Sequence, residues 1–241
     1  MNEIQELQNY IDKSKRIVFF GGAGVSTESG IPDFRSKDGL YSMKYKYPPE
    51  QMVSYSFFRA NPEEFYIFYR DKLLFLDAKP NPAHLKLAEL EAAGRLSAVI
   101  TQNTDGLHQA AGSENVLELH GSIHRNYCMS CRKDYEITAV TQVTGVPRCS
   151  CGGIIRPDVV FFEESLDHEV LKETERELRQ ADLLIVGGTS LVVYPAAGMI
   201  SYSKCPLILL NKSETSQDSR ASLVIRESIG QVLAQINVTK V

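Results

Sequence analysis

The sequence predicts an α/β fold: a doubly wound parallel, Rossmann-like sheet with a smaller lobe inserted into it. Three observations predict it. Short, almost continuously apolar runs recur far apart along the chain, as in strands buried on both faces. Stretches with helical spacing and helix-end signals separate them, and that alternation builds open parallel sheets. Two segments, residues 37–79 and 122–157, break the rhythm: one is aromatic and helical, the other holds four of the five cysteines.

In chain order, Ile4, Leu7 and Ile11 fall at helical spacing, so the first dozen residues read as an amphipathic helix. The apolar runs 16–20, 98–101, 183–186 and 207–210 read as strands, with 223–225 a fifth. Residues 82–93 read as a helix with Asn81 ahead of it, Pro82 at its first position and Gly94 closing it. Residues 169–181 form another, with a charged, solvated face. Residues 1–36, 80–121 and 158–241 therefore form the sheet domain, and 37–79 with 122–157 the smaller lobe. Ligands are expected beyond the carboxyl ends of the strands.

A chain of 241 residues can bury a large core. With 43% hydrophobic and 23% charged residues it reads as globular. A net charge of -4 speaks against nonspecific nucleic-acid binding, which needs a basic face. The first residues mix Asn, Glu and Gln with apolar side chains, unlike a secretion signal, and no run approaches a membrane span. A cytoplasmic enzyme with reduced thiols is the expectation.

Directly after the first strand comes Gly21-Gly22-Ala23-Gly24-Val25-Ser26-Thr27, where such a sheet places a dinucleotide pyrophosphate. The third glycine of the usual fingerprint and its later acidic partner are absent, so a tight turn without ligand stays open on this loop alone. After the second strand, Thr101-Gln102-Asn103-Thr104-Asp105 offers two amides and a carboxylate that can converge on a sugar, or that can merely cap a turn. Cys128-x-x-Cys131 and Cys149-x-Cys151, seventeen residues apart, form a metal-binding pattern whose four thiolates leave zinc no open position. Such a zinc is structural. His84, His108, His124 and His168 read as structural histidines.

The glycine loop with the following Glu28-Ser29-Gly30-Ile31-Pro32-Asp33-Phe34-Arg35-Ser36, the Gln-Asn-Thr-Asp run, Leu119-His120-Gly121 and the cysteine quartet together resemble the sirtuin (Sir2) family over nearly the whole chain. The resemblance implies an NAD-dependent protein-lysine deacylase, mainly a deacetylase. Acyl groups pass to ADP-ribose, releasing nicotinamide, O-acyl-ADP-ribose and free lysine. It implies that Gly22, Ala23, Gly24, Ser26 and Thr27 bind the cofactor, Ala23 and Thr27 near the phosphates, with Phe34 at the nicotinamide end and Arg35 facing the cofactor to position it. Gln102, Asn103, Thr104 and Asp105 would hold ribose and carboxamide, with Thr104 where many members carry isoleucine. Gly188, Thr189, Ser190, Asn211 and Ile229 would complete the NAD site. His120 would be the general base, with Asn103 and Asp105 beside it; an imidazole titrates near neutrality.

By the same resemblance, the segments Arg156-Pro157-Asp158-Val159-Val160-Phe161-Phe162-Glu163-Glu164 and Gly187-Gly188-Thr189-Ser190-Leu191-Val192-Val193-Tyr194-Pro195 flank an acylated peptide that adds as a strand. Val160 and Phe162 would line the acyl-lysine tunnel, and Val192 would also contact the substrate. Members that remove acidic acyl groups carry a tyrosine and an arginine three residues apart. Here Tyr69 is followed by Lys72, which lacks the planar fork. Tyr69 reads as packing and Lys72 as solvated, which favours acetyl and neutral acyl groups. Two rival functions share the pocket: a protein mono-ADP-ribosyltransferase, and a nonenzymatic NAD-sensing binding module.

Overall fold

The structure is a computed structural model that describes residues 2–37, 39–42 and 45–239. Residues 1, 38, 43, 44, 240 and 241, which fall within the predicted first helix, lobe and sheet-domain boundaries, lie outside the described residues. Nine strands occur among the described residues: β1 (Ile17–Gly21), β2 (Leu96–Thr101), β3 (Val116–Glu118), β4 (Gly121–Cys128), β5 (Asp134–Glu136), β6 (Ile155–Val159), β7 (Leu183–Gly187), β8 (Leu207–Leu210) and β9 (Leu223–Ile225). Six form one sheet in the order β3-β2-β1-β7-β8-β9, every pair parallel. The other three form a separate antiparallel sheet, β5-β4-β6.

The continuous apolar runs are explained by burial on both faces. On β1, Ile17 and Phe19 point into one core with Leu7, Leu87 and Val232, whereas Val18 and Phe20 point into the other with Leu178 and Met199. Helices Glu3–Lys13, Pro82–Ala92 and Ile229–Ala234 cover the first face, and His168–Gln180 and Ala196–Met199 the second. The helix ends follow local chemistry. Asn2 and Asn81 both close capping boxes, and Asp167 accepts from Glu169 N and Val170 N.

A third core gathers Phe58, Phe65, Tyr66 and Tyr69 from the helical segment with Ile123, Cys128, Cys149 and Ile155 from the cysteine segment. Helix Pro62–Lys72 spans the two: Tyr66 OH donates to the Ile155 carbonyl, and Arg70 donates to the carbonyls of Val140 (2.9 Å) and Gly145 (2.6 Å).

The strand order reverses between β1 and β7, and their carboxyl ends touch through backbone alone. Gly24 N donates to Gly188 O at 2.8 Å. Gly188 has φ +60, and a Cβ there would stand 2.4 Å from Val25 N. Gly188→Ala is therefore expected to cost on the order of 3 kcal/mol, from left-handed strain plus the forced separation of the two loops. A urea midpoint equal to that of the parent chain would contradict this.

Candidate active site

A cleft of about 920 Å³ opens where β1, β2, β7, β8 and β9 end, the place where open parallel sheets bind ligands. The glycine loop leaves β1 as two 3-10 turns, Ala23–Val25 and Thr27–Ser29, which direct Ser26 inward. Ser26 Oγ donates to Asp105 Oδ2 at 2.6 Å and accepts from Asn103 Nδ2 at 3.0 Å. Asp105 Oδ1 accepts from Leu107 N at 2.9 Å, and His124 Nε2 donates to the Asp105 carbonyl at 2.9 Å. Gln102 Nε2 donates to Thr189 Oγ1 at 3.0 Å, which ties the ends of β2 and β7 together. The polar run thus caps local backbone and also builds the cleft floor. Of the two readings open on the sequence, the capping of a turn is realised, and the same residues also face the cleft.

His120 lies two residues past the short edge strand β3, and Leu119 N bonds the Thr101 carbonyl at 2.9 Å. Gly121 next to it has φ +75, and a Cβ there would meet Asp158 O at 2.0 Å, so only glycine lets β6 pass so close. His120 Nδ1 lies 2.9 Å from the Gln102 carbonyl oxygen. A carbonyl only accepts, so Nδ1 carries the proton and Nε2 keeps its lone pair. Burial pushes the His120 pKa below its usual value, partly offset by the bond to Gln102. At neutral pH the ring is a free base.

The four thiols converge. Their Sγ atoms lie within 4.8 Å of one another, with Cys128–Cys151 at 3.5 Å and Cys131–Cys149 at 3.6 Å. Tetrahedral zinc at about 2.3 Å from each sulfur places sulfurs about 3.8 Å apart, so the donor set fits zinc. The Cys131 backbone N–H holds the Cys128 thiol, and the Cys151 N–H the Cys149 thiol, below the usual range, whereas Cys151, despite the Gly153 N–H, is pushed up to about 12 by its bonds to the other thiols.

Every residue assigned to the NAD site from the sequence lines the central cleft, from Gly22, Ala23, Gly24, Ser26 and Thr27 through Phe34, Arg35, Gln102, Asn103, Thr104, Asp105 and His120 to Gly188, Thr189, Ser190, Asn211 and Ile229. Val160 and Phe162 line it too. Val192 does not: it is 55% exposed, and the neighbouring Val193 lines the cleft instead. Tyr69 is buried as expected, but it and Lys72 both border the cleft, and Lys72 Nζ pairs with Asp71 at 3.2 Å rather than standing free in solvent. His84 and His108 are fully buried, with ring centroids 4.7 Å apart, and desolvation lowers their pKa values to about 4 and about 3. They pack as neutral rings behind Asp105, which agrees with a structural role. The residues that sequence reasoning missed include Ile123 and Leu166, whose apolar side chains carry no motif.

Residues 22–195 match the family model described as the Sir2 family. The chain belongs to the Sir2 family. A Clostridium acetobutylicum protein named NAD-dependent protein deacetylase is 56% identical over 241 residues, covering 98% of each chain. A solved Sir2 structure with a deacetylated p53 peptide and 3'-O-acetyl-ADP-ribose matches with a TM-score of 0.89 at 40% identity, over 96% of both chains. Another, a Sir2 with a p53 peptide and NAD+, matches with a TM-score of 0.86 at 40% identity, over 97% of this chain and 96% of that one. The Sir2 assignment accounts for the cleft and the thiol quartet occurring in one chain.

Proposed function

We propose that this Sir2 family chain is an NAD-dependent protein-lysine deacylase, acting mainly on acetyl-lysine and transferring the acyl group to ADP-ribose. The observation that carries the reading is His120: a neutral imidazole, its tautomer set by the Gln102 carbonyl, facing a cleft shared with Asn103 and Asp105. NAD, the cosubstrate, supplies an activated ribose carbon from which nicotinamide departs as the acyl oxygen bonds to it. His120 Nε2 then takes a proton from a ribose hydroxyl. Asn103 and Asp105, held by Ser26, orient the sugar. Gly22, Ala23, Gly24 and Thr27 lie along the phosphates, Phe34 and Arg35 close over the nicotinamide end, Gln102 and Thr104 contact the carboxamide side, and Gly188, Thr189, Ser190, Asn211 and Ile229 hold the remainder.

The acylated peptide adds as a strand beside Val160 and Phe162, with Val193 taking the inward place and Val192 outside it. Lys72, paired with Asp71 at 3.2 Å, lacks the planar fork that would grip an acidic acyl group bidentately. Cys128, Cys131, Cys149 and Cys151 hold a structural zinc. Residues 37–79 with 122–157 act as one lobe on the NAD-binding domain of 1–36, 80–121 and 158–241, a division the shared third core supports.

Acylated peptides incubated with and without NAD, reading nicotinamide and free lysine together, test the function. One nicotinamide per lysine is expected; ADP-ribose gained by the peptide would favour a transferase, and neither product a binding module. The rate has a pH signature. Only neutral His120 accepts a proton, so kcat/KM rises with pH through a depressed pKa and levels off, with the midpoint below the 6.5 of free imidazole. A midpoint above 6.5 would contradict the assignment.

A further inference from the structure

We propose that Glu163 is a positioning residue for the acylated peptide, its carboxylate clasping the outer end of the substrate-flanking segment to the helix Tyr55–Ala60. The inference rests on the deacylase reading. Glu163 has φ +76, and the other non-glycine residues with positive φ among those described are Arg132 and Leu191. Leu191 is buried between Ser190 and Val193, which line the same cleft. Left-handed backbone is costly for a residue with a Cβ and persists only where its surroundings hold it.

The holding contacts are specific. Glu163 Oε2 accepts from Ser56 N at 2.8 Å and Oε1 from Ser56 Oγ at 2.9 Å. One residue earlier, Phe162 N donates to the Val53 carbonyl at 3.1 Å and Tyr55 N to the Phe162 carbonyl at 3.0 Å. One residue later, Glu164 is bound by both terminal nitrogens of Arg156, at 2.7 and 2.8 Å, and that arginine is 4% exposed. At its start the segment is tied to the active site, because Val160 N donates to the His120 carbonyl at 3.0 Å. Glu163 borders both the central cleft and a side hollow formed with Arg35, Glu50 and Gln51. The clasp therefore sits at the rim where a peptide strand pairs. Main-chain pairing loses affinity when its template must be ordered on binding, so a pre-set edge lowers KM for the peptide.

Glu163→Gly relieves the left-handed strain while opening the clasp, which separates positioning from folding. Its peptide KM is expected to rise about tenfold, the effect of lost charge-assisted bonds at a partly solvated site. That rise should exceed any change in kcat or in KM for NAD by about fivefold. Glu163→Gln should rise about threefold, and Ser56→Ala should add nothing in the Glu163→Gly background. Equal peptide KM in Glu163→Gly and the parent chain, or equal rises for peptide and NAD, overturns the proposal. Amide exchange at Phe162 gives a readout free of activity: it should quicken in Glu163→Gly, and unchanged exchange overturns the clasp. If the parent chain consumes no NAD with any acylated peptide, the deacylase reading fails instead, and Phe162 exchange still decides the clasp.

Discussion

Replacing His120 by alanine is expected to lower kcat by about 10²–10⁴-fold, the usual contribution of a positioned general base. The structure supplies the reason the loss should be this large. His120 reaches the cleft from the end of β3, its Nδ1 proton is committed to the Gln102 carbonyl, and burial keeps its other nitrogen unprotonated at neutral pH. Water can replace an imidazole as a base only poorly, because its basicity is far lower. Ser26, Asn103 and Asp105 bond one another rather than His120, so the sugar site survives the substitution. NAD affinity, measured by calorimetry, should stay within about threefold of the parent value. The base acts after nicotinamide has left, so nicotinamide exchange should outlast acyl transfer in the variant. Turnover within about tenfold of the parent would show that another group removes the proton.

Loss of the metal should have the other large effect. Cys128 and Cys149 belong to the same buried core as Phe58, Phe65, Tyr66 and Ile155, so the quartet closes that core as well as the loops around it. Structural zinc sites contribute about 10–16 kcal/mol of binding free energy, which matches or exceeds the net stability of a typical domain, about 5–15 kcal/mol. A strong chelator, or Cys149→Ser, should therefore abolish exchange protection through β4, β5 and β6 and along helix Pro62–Lys72, and peptide turnover with it. The parallel sheet has its own two cores and should keep its protection. Because four thiolates leave no site for water, cadmium should restore both fold and turnover. Full protection after verified metal removal would refute a structural role, and turnover restored by zinc but not cadmium would refute a closed site.

Five of the six strands of the main sheet were readable because burial writes a near-continuous apolar run, as in Leu183–Gly187 and Leu207–Leu210. Strand β3 was not readable. It has three residues, too few for any period to register, yet it delivers His120. Strands β4 and β6 were hidden for another reason: their pairing is irregular between Ser122 and Asn126, and β6 carries Pro157. Val192 and Val193 show the limit for side chains. The chain bends at Leu191 and Val193, outside any regular element, so no periodicity in the sequence tells which of the two valines faces inward. Arg156 is a further case: an arginine in a motif gives no sign that its guanidinium will be buried with Glu164 against the Phe161 ring.

What the sequence determined by itself is the chemistry at each strand end: glycines after β1, amides and a carboxylate after β2, thiols in two close pairs. These are local patterns, and local patterns survive in one dimension. Tertiary structure alone decided which ends meet. Ser26 and Asp105 bond across 79 positions only because β2 lies beside β1, and Gly24 touches Gly188 only because β7 lies on its other side. Strand order is set by how two apolar faces are covered by helices, a balance over the whole core that no single segment records.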